Sequence, residues 1–152
     1  MFFSMVKFIH VLAAITAVGA NITYGIWIAR ASRQPQSLPF VLENIHLIDS
    51  RVANPCYALL LVSGLTMVFT LPLPLTTPWL LTALALYILM GISGALVYAP
   101  VVKRQVQLLE KEGFQSAGYQ AVARRSTQIG IVLVVLVVII VFLMVTKPPL
   151  WG

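Results

Sequence analysis

The sequence predicts an all-α fold: a four-transmembrane-helix antiparallel bundle with its termini outside and short interfacial helices on the cytoplasmic side. Three observations predict it. Only 9% of the 152 residues are charged and 60% are hydrophobic, whereas a soluble domain carries about a quarter charged residues; the mean hydropathy is +0.96. Four apolar runs each come near the roughly 20 residues that a helix needs to cross the hydrocarbon core. Eight of the ten lysines and arginines fall in two of the segments between those runs. No barrel-like alternation is visible, so the spans are helices, which satisfy their own backbone groups in lipid. Residues 1–152 read as a single integral membrane domain.

The first run covers about 6–29. Val18-Gly19-Ala20 faintly resembles a signal-peptide cleavage site, but the apolar stretch continues through Ile22, Ile26 and Trp27. That is too long for the roughly 7–15 residues of a signal h-region, so the run reads as a span. The second run, about 52–71, contains Pro55 and Gly64. The link "LPLPLTTP" that follows holds Pro72, Pro74 and Pro78; it is short and stiff, which makes spans two and three antiparallel neighbours. The third run, about 79–99, ends at Pro100, and the fourth, about 129–145, is stopped by Pro148 and Pro149. "LPFVLENIHLIDSRVAN" and "VVKRQVQLLEKEG" read as interfacial helices. In the second of these, Val102, Val106 and Leu109 face the membrane and the charges face outward.

Charge sets the direction. Arg30, Arg33 and Arg51 lie in 29–51, and Lys103, Arg104, Lys111, Arg124 and Arg125 lie in 101–128. The positive-inside rule places both segments in the cytoplasm, and hence the termini outside. Trp27 and Tyr98 then fall near the inner interface, and Trp79 and Trp151 near the outer one. The net charge of +6 is explained by topology, so no nucleic-acid partner is implied. The lone Cys56 cannot form an intrachain disulfide and belongs to no zinc spacing.

Span one carries an informative face. His10, Ala14, Ala17, Asn21 and Tyr24 recur at +4, +7, +11 and +14, one side of a helix. Small and polar residues of this kind face other helices rather than lipid. Cys56, Ser63, Met67 and Thr70 form the matching stripe on span two, and Thr82, Ala85, Leu89 and Ser93 the one on span three. The fourth span, "IVLVVLVVIIVFLMV", reads as a packing wall with a large lipid-facing surface.

An ionisable side chain within a span is a functional candidate. His10 has two readings. The plainer is an interfacial histidine bonded to a carbonyl; the sharper is an axial ligand to haem iron, with the imidazole aimed into an apolar cleft. Met67, inward and at a similar depth, is the candidate for the other axial position, although a methionine there also serves as packing filler. Five-coordinate haem on His10 alone is the alternative. His46 is excluded as the second ligand because it belongs to the opposite face, roughly 30 Å away. With Asp49 and Arg51 it forms a cytoplasmic cluster that either fixes helix docking or touches a headgroup, substrate or partner.

The opening Lys7-x-x-His10 and the closing "FLMVTKPPLW", with Lys147 and Pro148 after an aliphatic span, resemble a bacterial family of predicted four-helix integral membrane proteins, a domain of unknown function. The resemblance to a bacterial family implies a bacterial cytoplasmic (inner) membrane. More remotely, the same ends together with Pro55 and Gly64 are similar to the four-helix membrane protoporphyrinogen oxidases and the CopD-type copper-resistance proteins. That resemblance implies a haem-ligating role for His10. The chain departs from the oxidases at the start of span three, where "PWLLTALALYILMG" has no lysine, and before span four, where "RRSTQIG" replaces their Asn-Glu-x-Pro.

Three functions follow as expectations. The first is a b-type haem-binding or redox-associated membrane protein. The second is a non-catalytic accessory subunit of a larger membrane complex, with other membrane subunits or a second copy as partners beside the lipid bilayer. The third is a transporter or metal-handling protein. No acid–base pair, triad or metal cluster identifies a reaction, so the enzyme question stays open at this level.

Overall fold

The computed structural model describes residues 1–71 and 74–150; Pro72 of the predicted link and Trp151 of the predicted outer aromatic pair lie outside the described residues. The chain is helical throughout and, among the described residues, contains no strand. Among the described residues six α-helices are formed: α1 (Phe2–Ala31), α2 (Leu38–Ile48), α3 (Asn54–Thr70), α4 (Pro78–Ser93), α5 (Ala99–Glu112) and α6 (Ala117–Thr146). They fall into two compact units, Met1–Pro74 and Leu75–Gly152. Four stretches, Phe2–Ala31, Pro35–Thr70, Pro78–Glu112 and Ala117–Thr146, are long and apolar enough to cross a membrane.

These stretches are longer than the apolar runs, and the reason lies in how the prolines are accommodated. Pro55 and Pro100 do not end helices. Each sits in the first turn of a helix that follows a π turn, Asp49–Ala53 before α3 and Gly94–Tyr98 before α5. A proline ring clashes with the carbonyl four residues earlier and lacks a donor. The wider π turn, in which Asn54 donates to the Asp49 carbonyl and Ala99 to the Gly94 carbonyl, makes room for it. The predicted interfacial helices therefore run on from spans two and three without a break, as α2 and α5. What reads as two basic loops is mostly helix, joined by the short turns 32–37 and 113–116.

In the first unit α1 packs along α3, and α2 and its π turn pack beside both. The face of α1 that turns inward carries Ala13, Ala17 and Ala31, with His10, Ala14, Asn21 and Tyr24 half-buried along the same stripe. Ala17 is only 1% exposed, so the expected small-residue contact is present and the backbones approach closely there. On α3, Ser63 and Val68 are buried and Met67 half-buried, whereas Thr70 is exposed and bonds back to the Thr66 carbonyl.

In the second unit α4 and α5 both pack on α6. The inward residues of α4 are Leu80, Ala83 and Met90. The predicted stripe is therefore rotated: Thr82 and Ser93 are half-buried, but Ala85 and Leu89 are exposed. In a helix this uniformly apolar, sequence periodicity carries little information about which side is buried. The turn 113–116 is set by Gly113, whose φ of 78° ends α5 in a conformation suited to glycine, and by Ser116, whose Oγ accepts from the Tyr119 N–H at 3.0 Å and caps α6. Gln105, buried on α5, donates to the Tyr119 hydroxyl at 3.5 Å. Thus α5 turns its inner side to α6, with Val102, Val106 and Leu109 half-buried. At the other end of the unit, Lys147 Nζ stands 5.5 Å from the Trp79 ring centroid. That cation–π contact ties the start of α4 to the end of α6 and puts both at one level, as the topology requires.

Candidate functional site

The polar chemistry of the first unit is concentrated where α1 meets α3. His10 Nδ1 lies 2.9 Å from Ser63 Oγ, and Ser63 is buried at 6% exposure. A serine has one hydroxyl hydrogen, and Ser63 directs it back along its own helix to the Leu59 carbonyl. With its hydrogen there, Ser63 Oγ is the acceptor and His10 Nδ1–H the donor, which assigns the tautomer of the ring. The Leu60 carbonyl, 3.4 Å from the same hydroxyl, is a further acceptor beside the ring. A neutral imidazole that donates through Nδ1 keeps its lone pair on Nε2, the arrangement in which a histidine can ligate a metal.

Gly64 lets this happen. A Cβ at that position would stand 3.3 Å from His10 Cε1 and 3.8 Å from Nδ1, so any side chain would press on the imidazole. Consecutive residues of α3 thus have separate tasks: Ser63 orients the ring and Gly64 makes room for it. Met67 is half-buried one turn further along α3, on the helical side that carries Ser63.

Toward the other end of α1, Asn21 uses both amide hydrogens. Its Nδ2 donates to the Ala17 carbonyl at 2.8 Å and to the Tyr57 hydroxyl. Tyr24 lies on the next turn with its hydroxyl buried and without a hydrogen-bond partner among the described residues. Asp49, in the π turn, is close enough to Tyr24 and Tyr57 to interact with both electrostatically, accepts from Asn54 Nδ2 at 3.4 Å and feels the nearby His46. Asn21, Tyr24 and Asp49 therefore belong to one polar group. His46 and Arg51 are exposed at its edge.

His46 is not brought to His10. Seventeen residues of nearly continuous helix separate it from Ser63, the partner of His10, which corresponds to roughly 25 Å at 1.5 Å per residue. Among the described residues no group of three or more His, Cys, Asp or Glu could hold a metal ion. Sequence reasoning placed Ser63 on the inward stripe but did not identify it as the partner of His10, and it missed Tyr57. The usable signal was complementarity: two hydrogen-bonding residues on span one, His10 and Asn21, call for two on the helix that faces it.

No curated protein and no solved structure matches the chain. A family model described as Predicted integral membrane protein (DUF2269) matches residues 4–148. That match takes in all four apolar helices and both ends of the site just described, and the chain belongs to this family of predicted integral membrane proteins.

Proposed function

We propose that this multi-pass membrane protein is a b-type haem-binding, redox-associated protein in which His10 is an axial ligand. One observation carries the reading: Ser63 accepts from His10 Nδ1 while its own hydrogen is directed to Leu59, which places the ring lone pair on Nε2. An imidazole oriented in this way through its other nitrogen is how protein metal ligands are usually held. Haem, where bound, supplies one-electron chemistry. The chain's own part is to fix the ring through Ser63 and to keep α3 from crowding it through Gly64; Met67 would be the second side chain to hold the haem. The resemblance of the Lys7-x-x-His10 opening to the membrane protoporphyrinogen oxidases and CopD-type proteins supports the same assignment. We further propose that the protein resides in a bacterial cytoplasmic membrane with its termini outside, since eight of ten basic side chains lie toward the two inner turns.

A specific observation favours a second reading, that of a non-catalytic subunit. The His10–Ser63 and Asn21–Tyr57 bonds each join α1 to α3 and are complete without a ligand, so they also serve as clamps in a packing unit. Absorption spectra separate the two. Wild type, His10→Ala and His46→Ala are purified in parallel in mild detergent after expression with added haem. The haem reading expects a Soret band in wild type and His46→Ala and its loss in His10→Ala. No band in wild type leaves His10 as a clamp and selects the subunit reading.

A further inference from the structure

The second unit contains a feature that the haem reading does not use. A cleft of about 300 Å³ opens between the π turn Gly94–Tyr98 and α6. It lies at the lower end of the size range of small-molecule sites, roughly 300–1,000 Å³. Its walls are aliphatic, from Val97 on one side and Ile129, Val132, Leu133 and Leu136 on the other, and its polar lining comes from Ser93 and Gln128. The lining residues of α6 recur at three- and four-residue spacing, so they form one face. Carried one turn toward the start of α6, that face reaches Arg124 and Arg125.

Two contacts fix the register of α5 against α6 below the cleft. The Tyr98 ring stands 3.7 Å from where a Cβ on Gly130 would lie, and Gln105 meets Tyr119. Between them, Lys103 and Arg104 on α5 fall about three residues nearer the turn 113–116 than Arg124 and Arg125 on α6, and all four are exposed. The acidic side chains of this unit, Glu110 and Glu112, lie further off beside the turn 113–116. The result is graded along α6: Arg124 and Arg125 one turn before the cleft, the Gln128 amide at its edge, and an aliphatic trough beyond, with the Ser93 hydroxyl beside that trough.

That sequence of chemistries is the sequence found along a phospholipid. We propose that the cleft is a binding site for one anionic phospholipid, with its phosphate at Arg124 and Arg125, its ester region at Gln128, and part of one acyl chain along Val132 and Leu136. Basic clusters at the cytoplasmic ends of packed membrane helices attract anionic headgroups, and the π turn contributes Val97 to the trough. A zwitterionic lipid satisfies the trough but not the charge. A free phosphate satisfies the charge but not the trough.

The test uses the full chain, delipidated in neutral detergent and presented with phosphatidylglycerol, phosphatidylcholine or glycerol 3-phosphate, with bound lipid counted by native mass spectrometry. Wild type retains phosphatidylglycerol in preference to phosphatidylcholine and does not retain glycerol 3-phosphate. Arg124→Gln with Arg125→Gln weakens retention at least about fivefold, the loss expected for a single basic contact near a membrane surface. Val132→Trp, which fills the trough without altering charge, also lowers retention. Both substitutions are at exposed positions, and melting in detergent without lipid checks that each variant is folded. Equal retention of the two lipids by wild type, or wild-type retention of phosphatidylglycerol by both folded variants, overturns the proposal.

Discussion

Removing Ser63 Oγ should uncouple His10 from α3, and the size of the effect can be worked from the geometry. The bond spans two helices, measures 2.9 Å and involves a serine that is only 6% exposed. Interhelical hydrogen bonds in membrane proteins average about 0.6 kcal/mol and reach about 1.7. This bond belongs in the upper half of that range for two reasons. In Ser63→Ala the imidazole N–H loses its side-chain acceptor inside the protein, and a buried donor without an acceptor costs about 1–3 kcal/mol. The Leu60 carbonyl beside the ring recovers part of that loss. The expected coupling between His10→Ala and Ser63→Ala is therefore about 1 kcal/mol, roughly a fivefold change in the folding equilibrium. The assay is reversible unfolding in mixed micelles with increasing SDS, measured for wild type, both single variants and the double variant. The cycle isolates the pair from the packing each side chain also provides. A coupling within about 0.3 kcal/mol of zero, the ordinary scatter of independent sites, would refute the assignment of Ser63 as the acceptor.

Three further outcomes are expected. Gly64→Leu should displace the imidazole, because even a Cβ there lies 3.3 Å from Cε1, and its loss of stability in the same micelle assay should exceed that of Gly91→Leu, a position with open space around it. Ala17→Leu should cost about 1–3 kcal/mol by overpacking a contact that leaves no room for a larger side chain; unchanged melting would mean that this face of α1 is loosely packed. In a Cys56→Ala background, Thr76→Cys should react with a membrane-impermeant maleimide from outside intact cells and Gln115→Cys should not. Gln115 is preferred to Gly118 for the inner site, because a Cβ on Gly118 would come within 2.8 Å of the Glu112 carboxylate.

The sequence reading was most successful where periodicity and chemistry agreed. The His10, Ala14, Ala17, Asn21 and Tyr24 stripe is legible because small and polar residues stand out against an aliphatic background, and the structure turns that face toward α3. The α4 stripe was not legible, since Leu89 and Leu80 are chemically alike and only packing makes one exposed and the other buried. Helix ends are hard to read for a different reason. Pro100 reads as the end of span three, but a π turn absorbs it and the helix runs on into α5, as the π turn before Pro55 joins α2 to α3. The pairing of His10 with Ser63 depends on the register between two helices, which no single helix encodes. The grading of charge and apolar surface on α6 was visible in "ARRSTQIGIVL", but the cleft that gives it meaning exists only once α4 and its π turn are packed against that helix.

The central claim is that His10 presents a free Nε2 to haem iron, and the most direct measurement is a haem titration of the purified chain, followed in the Soret region for wild type and His10→Ala side by side. The account predicts that wild type develops a sharp, shifted band that saturates at equimolar haem, while His10→Ala shows only the broad spectrum of haem dispersed in detergent. Indistinguishable titrations for the two proteins would contradict it.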